Sequence, residues 1–344
     1  MPNVKAQSSN GEISGERVFS RPQGRGRRRK MKEMRIGTRG SPLALWQANW
    51  VKESLSKAYP QMRISLVRIT TKGDKLVDVS LARVGGKGLF VKEIEEKLLA
   101  GEIDLAIHSM KDVPVQLPKG LHIQSIPPRE DSRDVLISKD HLALEELPPG
   151  AKIGTSSLRR RAQLLSYRPD LTMVPLRGNV HTRLAKLQTM DLDAIVLAAA
   201  GVKRMKLAGD ISQPISTEVC LPAIGQGALG LETRIDDDVV NQYLGILDHE
   251  PTHQSIRAER AFLRRLGGGC QVPIAALGTV SDEGKLVLRG LVGSLDGKKL
   301  IRGMVGGEGG KALELGIALA EDFLSRGADD ILREIYEGEI APEL

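Results

Sequence analysis

The chain has 344 residues, with 50 Lys+Arg against 43 Asp+Glu, a formal charge of +7 and ten aromatic residues. At about 150 residues per domain that length predicts two or three domains around an aliphatic core. No run approaches the ~18 consecutive apolar residues of a membrane span, and two cysteines cannot make a disulfide framework.

The charge is unevenly placed. Residues 1–34 hold nine basic and three acidic residues, which leaves 41 and 40 for the remainder, a body close to neutral. The tail is rich in Ser, Gly, Asn and Arg and lacks apolar periodicity, so residues 1–33 are expected to be disordered. No apolar segment follows Arg25–Lys30, which argues against a secretory signal. An upstream start, with Met31 or Met34 as the natural one, accounts for the tail more simply than nucleic-acid binding does. With few aromatics there is little for unpaired bases to stack on. A cytoplasmic protein is expected; Glu12 and Glu16 weigh against a transit peptide, although the basic tail leaves a plastid or mitochondrial destination open.

From Met34 the chain alternates β and α signals. Arg35–Thr38 reads as a strand, Ser41 as an N-cap and Pro42 as the first helical residue. The helix carries Leu43, Trp46 and Trp50 at helical spacing and stops at Tyr59-Pro60. Residues 63–70 alternate in polarity as a strand does. A Gly- and Lys-rich loop, 72–88, precedes a helix with Phe90, Ile94 and Leu98 on one stripe. Ile103–His108 is another strand, and the order predicts a mostly parallel sheet covered by helices.

The pattern restarts after Pro127-Pro128, with strands at Asp134–Ser138, Ala151–Gly154, Leu171–Leu176 and Asp193–Ala198. One helix buries Leu158, Ala162 and Leu165, and the next Val180, Leu184 and Leu187. From about 250 a helix (Thr252–Leu266), short strands around 274–305 and a stripe through Leu315, Leu319 and Phe323 predict a small α+β domain.

Three strand-to-helix turns share one chemistry: Thr38-Arg39-Gly40-Ser41, Thr155-Ser156-Ser157-Leu158-Arg159-Arg160, and Arg177-Gly178-Asn179 with Arg183. Each sets a hydroxyl or Gly at a helix N-terminus, where unpaired N–H groups attract anions, and each adds an Arg fork suited to carboxylate or phosphate. One such turn alone reads best as an N-cap beside a solvated Arg. Three together point to a small polyanion. Gly85-Gly86-Lys87-Gly88 lacks the spacing of a nucleotide-binding loop.

Ser109-Met110-Lys111-Asp112 places a carboxylate at a strand's C-terminal end, where it can stabilise a cation or move a proton. Read in isolation it is a surface turn. Gly267-Gly268-Gly269-Cys270 offers a thiol on a side-chain-free approach, while a buried cysteine is the plain alternative. The six histidines single out no partner for it. One loop Cys and a distant Cys220 make no zinc site.

Seven stretches then agree in order with one family: RGSPLA (39–44), GGKGLF (85–90), HSMKDVP (108–114), GTSSLRR (154–160), LRGNV (176–180), LPAIGQGALG (221–230) and GGGCQVPI (267–274). Over 34–340 the chain resembles the porphobilinogen deaminase (hydroxymethylbilane synthase) family. The resemblance implies two periplasmic-binding-protein-like (type II) α/β lobes and a third, small α+β domain. The boundaries expected are 34–128 plus about 225–248, 129–224, and 249–344.

It also implies a transferase of tetrapyrrole biosynthesis, in which four porphobilinogen units are deaminated and joined head to tail. The primer is a dipyrromethane cofactor held as a thioether on Cys270, and hydrolysis releases hydroxymethylbilane. By the same resemblance, Asp112 is catalytic. Arg39, Ser41, Lys87, Lys111, Ser157, Arg159, Arg160, Arg177, Arg183 and Arg204 receive cofactor and substrate carboxylates. Residues 72–88 look like a mobile lid, with Phe90 packing on a pyrrole or in the core. A monomer is expected, with no metal, membrane or nucleic-acid partner; Arg161 faces solvent and Cys220 is packed. The alternative is an anion-binding two-lobed solute module without catalysis.

Overall fold

A computed structural model of the chain describes residues 31–75, 91–268 and 272–340. In chain order its first elements are β1 (Glu33–Thr38), α1 (Pro42–Ala58), β2 (Arg63–Arg68), the single turn α2 (Lys72–Lys75), α3 (Lys92–Leu99), β3 (Leu105–Ser109) and β4 (Leu121–Ser125). There follow β5 (Asp134–Ser138), β6 (Lys152–Gly154), α4 (Leu158–Tyr167), β7 (Thr172–Val174), α5 (Val180–Thr189), β8 (Ala194–Ala198), α6 (Ala199–Arg204) and β9 (Gln213–Pro214). The rest are β10 (Leu229–Arg234), α7 (Asp238–Leu244), α8 (Glu250–Arg265), β11 (Ile274–Val280), β12 (Lys285–Gly293), β13 (Leu300–Glu308), α9 (Ala312–Ser325) and α10 (Ala328–Ile340).

Two five-stranded sheets have matching orders, β2-β1-β3-β10-β4 and β7-β6-β8-β5-β9. In each, three neighbouring strands run parallel and the fourth is antiparallel to both its neighbours. The antiparallel strand of each sheet comes from the far side of a crossing. β5 enters the second sheet from the first lobe, and β10 returns to the first from the second. The mostly parallel α/β lobes expected from the sequence are therefore present. The third unit is a three-stranded antiparallel sheet, β11-β12-β13. Packed on it are α8 and α9, with Phe262 and Phe323 edge to face at 5.1 Å.

The two crossing segments touch directly. Arg129 Nε donates to Gln226 O at 2.8 Å, and Gln226 Nε2 donates to Ser132 O at 2.7 Å. Gly227 lies at φ +89°, where a Cβ would stand 2.4 Å from Glu130 O, so only glycine lets the strands pass this closely. Glu259 of α8, wholly buried, clamps the crossing. It accepts from Arg129 Nη1 at 2.5 Å, Gly225 N at 2.7 Å and Gly278 N at 2.9 Å.

Two helix faces depart from the expected stripes. In α1 the buried residues are Gln47, Ala48, Val51 and Leu55, whereas Leu43, Trp46 and Trp50 are half-buried. Trp46 meets Arg204 from the other lobe, with the guanidinium 5.6 Å from its ring. In α4 the buried set is Arg159, Arg160, Ala162, Gln163 and Leu164, while Leu158 and Leu165 are only half-buried. A carboxylate, described below, makes that polar face tolerable. Strands β4, β9 and β10 and helices α6, α7 and α10 had no counterpart in the sequence reading, and the turn α2 opens the segment expected to be a loop.

Arg129→Met leaves Glu259 buried without its cation and is expected to cost about 3–5 kcal/mol. The urea midpoint of unfolding measures this, and an unchanged midpoint would contradict the clamp.

Candidate active site

The three turns fold as their chemistry dictates. Ser41 Oγ accepts from Ala44 N at 3.4 Å, Ser157 Oγ from Arg160 N at 3.4 Å, and Asn179 Oδ1 from Thr182 N at 2.9 Å. Each turn follows a parallel strand of its lobe, so all three lie at strand C-terminal ends, where open α/β sheets bind ligands.

On the first lobe, Arg39 Nε and Nη2 reach Asp74 Oδ1 at 3.0 and 2.5 Å. Gln47 Nε2 donates to Ser109 Oγ at 2.9 Å and steadies the end of β3. One 3-10 turn, Met110–Asp112, then carries Lys111 and Asp112 outward. Arg39, Ser41, Gln47, His108, Ser109 and Asp112 line one cleft, in which the Asp112 carboxylate is exposed.

On the second lobe, the buried Asp134 at the start of β5 receives both arginines of α4. Arg159 Nη1 is 2.7 Å from Oδ2 and Arg160 Nη2 is 2.7 Å from Oδ1, with Gln226 Nε2 at 2.9 Å. Burial pushes the Asp134 carboxyl up, but the two guanidiniums hold it well below the usual range. Arg159 also donates to Leu221 O and Arg160 to Val196 O. Their Nε atoms are buried without a hydrogen-bond partner.

One cation from each lobe, Lys111 and Arg183, lies within electrostatic reach of Asp112. Lys111 is exposed on the same turn, crowded by neighbouring protein atoms. That crowding lowers its ammonium, Asp112 pulls it back, and Arg160 and Arg183 push it down again. Burial lowers Arg183 to about 10, helped by Arg160 and Arg177 and opposed by Asp112. Arg183 Nε is held by Gly178 O at 2.8 Å. Lys111 and Arg183 therefore lie within electrostatic reach of each other and of one exposed carboxylate, with Arg160 in reach of both cations and Arg177 in reach of Arg183. Cations that depress one another are stabilised by an incoming anion.

Arg204 stands apart from this group. It is buried, lowered to about 10 by that burial, and donates to Gly227 O at 2.8 Å. Ser157 is occupied as a cap, and Arg161 is exposed. Lys87, Phe90 and Cys270, together with tail residues 1–30 and most of the loop 72–88, lie outside the described residues. Cys220 is fully buried, 3.3 Å from Asp134 Oδ2, and burial pushes its thiol up to about 12. Asp74, Gln47, Asp134 and Gln226 were not singled out from the sequence. Only Asp134 left a signal there, as an acid opening an otherwise apolar strand. Among the described residues no group of three or more His, Cys, Asp or Glu could hold a metal, and no helix is long and apolar enough to cross a membrane.

Two α/β lobes that each bring a cation to the Asp112 carboxylate, carried beside a small α+β unit, define a two-lobed protein with a charged cleft. The family model for "Porphobilinogen deaminase, dipyromethane cofactor binding domain" matches residues 34–242, and that for the "Porphobilinogen deaminase, C-terminal domain" matches 253–325. The chain belongs to the porphobilinogen deaminase family. It is 54% identical over 312 residues to the porphobilinogen deaminase of Geobacter metallireducens, covering 91% of this chain and 98% of the relative. To that of Syntrophotalea carbinolica it is 57% identical over 299 residues, covering 87% and 95%. Among solved structures, the periplasmic aliphatic sulphonate binding protein SsuA from Escherichia coli is similar at 16% identity and a TM-score of 0.36, over 67% of this chain and 68% of that one.

A thiolate-seeking alkylating reagent should leave Cys220 unmodified in the folded protein and label it after denaturation. Peptide mapping checks this, and rapid native labelling of Cys220 would contradict its burial.

Proposed function

We propose that the chain condenses four porphobilinogen units head to tail on a dipyrromethane primer, losing one ammonia per unit, and then hydrolyses the product free as hydroxymethylbilane. The observation that carries this is the meeting of Lys111 and Arg183 at Asp112, with Arg160 near both cations and Arg177 near Arg183. Each pyrrole unit brings two carboxylates, so the growing chain is a polyanion of the kind these crowded cations favour. The unpartnered Nε atoms of Arg159 and Arg160 and the depressed Lys111 and Arg183 fit such a group. Bound through Cys270, the primer supplies the pyrrole carbon to which substrate is joined.

The chain's own residues divide the remaining work. Arg39, Ser41, Lys111, Ser157, Arg177 and Arg183 hold carboxylates at helix N-termini and on the cleft walls, with Arg159, Arg160 and Arg204 behind them. Lys87 and Phe90 belong to the same set by position in the sequence. Asp112 stabilises the cation left on the substrate when ammonia departs and takes the proton lost from the ring carbon at coupling. A solute-binding module without catalysis leaves that carboxylate, set among cations, without a task.

The three sheets correspond to three domains, with boundaries near 128, 224 and 248. The protein acts in the cytoplasm as a monomer and needs neither nucleic acid nor membrane. Its relatives are bacterial, which gives an organelle destination no support.

Asp112→Asn keeps the shape of the side chain and removes its charge, so kcat should fall about a hundredfold or more with KM little changed. Near-normal turnover would refute the role. Arg183→Gln removes one charge-assisted contact, worth about 1.5–3 kcal/mol, and should raise KM about tenfold or more. Steady-state kinetics on porphobilinogen read both.

A further inference from the structure

Behind the cleft, β3, β10 and α3 bring together ionisable groups that the scheme above does not use. His108 of β3, Glu232 of β10 and Glu95 of α3 are 5%, 0% and 6% exposed. His108 Nε2 lies 2.8 Å from Glu232 Oε2. Glu232 Oε1 and Glu95 Oε1 are buried without a hydrogen-bond partner. The pairing of β10 with β3 explains the placement. Glu232 stands opposite Ala106, one pleat from His108, and α3 packs on both strands. Of the three, only His108 lines the cleft that holds Asp112.

Two buried carboxylates beside one imidazole make a costly arrangement unless a proton is kept among them. Other charges near this face are committed elsewhere. Arg35 of β1 is paired with Asp104 and donates to Gly101 O. Arg234 of β10 holds Asp237 and the carbonyls of Leu98 and Ile103. Glu93 accepts from Lys72 N, and Glu96 is exposed. The Glu95 carboxyl is accordingly pushed up to about 7, by burial first and then by Glu232 and Glu96, with His108 opposing. Below that point Glu95 is neutral; above it Glu95 adds a buried negative charge to the cluster.

We propose that His108 is a positioning residue: clamped by Glu232 and coupled to Glu95, it holds the end of β3 so that Asp112 keeps its place in the cleft. This rests on the role given to Asp112 above. A second buried negative charge competes with Glu232 for His108 and loosens the clamp. Chemistry should suffer while carboxylate binding, which depends on other residues, does not. The stability linkage has the same direction. Glu95 is raised in the fold, so the stability it contributes is full below the ordinary carboxylate range and is lost as pH rises through about 7.

The test measures kcat and KM of the holoprotein on porphobilinogen from about pH 6 to about pH 9 for wild type, Glu95→Gln, Glu232→Gln and Asp112→Asn. Wild-type kcat should fall through about 7 with KM flat. Glu95→Gln should flatten that limb and, in a thermal-unfolding series begun below pH 4.5, abolish the loss of stability that runs from 4.5 to about 7. Glu232→Gln should lower kcat about tenfold with KM within about twofold. No limb in wild type, an unaltered limb in Glu95→Gln, or changes confined to KM would each overturn the proposal. If Glu232→Gln does not fold, Glu95→Gln still decides, because it removes a buried charge and creates none. Wild-type turnover in Asp112→Asn would instead overturn the reading of Asp112 itself.

Discussion

The molecule turns on one buried carboxylate, Glu259, placed where two chain segments cross between the lobes. It takes Arg129 from the outgoing segment, the Gly225 amide from the returning one and the Gly278 amide from the third sheet. A charge buried this completely is tolerable only when its lone pairs are filled. The same requirement welds three units of structure at one point. The sequence meets it with small residues: Gly225 and Gly227 have positive φ, and a Cβ would collide with Met110 at the first and with Glu130 of the outgoing segment at the second. The crossing also sends β5 and β10 into the same place in opposite sheets, next to the edge strand. The ends of the strands beside them, β3 and β8, then face the space between the lobes.

A second buried carboxylate organises the charge of the site. Asp134 pairs with both Arg159 and Arg160, whose guanidiniums would otherwise be costly on the inner face of α4, and leaves a net charge of about +1 there. The cations nearer the cleft are left to depress one another, and an incoming carboxylate relieves that repulsion. An overall charge of +7 says little about this, since most of the excess lies in the first 34 residues. The local balance decides the ligand.

What could be read from the sequence was local. The caps at Ser41, Ser157 and Asn179 depend on neighbours within three residues, and they formed as expected. Most strands of the two lobes could be read because β-branched runs bounded by turns need no distant partner. The misread faces of α1 and α4 depended on distant residues: Trp46 meets Arg204, and Arg159 meets Asp134. An apolar stripe cannot say whether it faces a core or another lobe. Strand β10 was missed because it contains Glu232, which is tolerable only beside His108, 124 positions away. For Asp112 and Cys270 the motifs supplied a role that periodicity alone could not.

The central claim is that crowded cations hold a covalently tethered polycarboxylate in front of Asp112. Intact-mass spectrometry of the native protein tests it most directly. The account predicts a mass above the bare polypeptide by two pyrrole units, rising in whole pyrrole steps when substrate is added and falling to the bare value in Cys270→Ser. A fully active protein with the mass of the bare chain would contradict it.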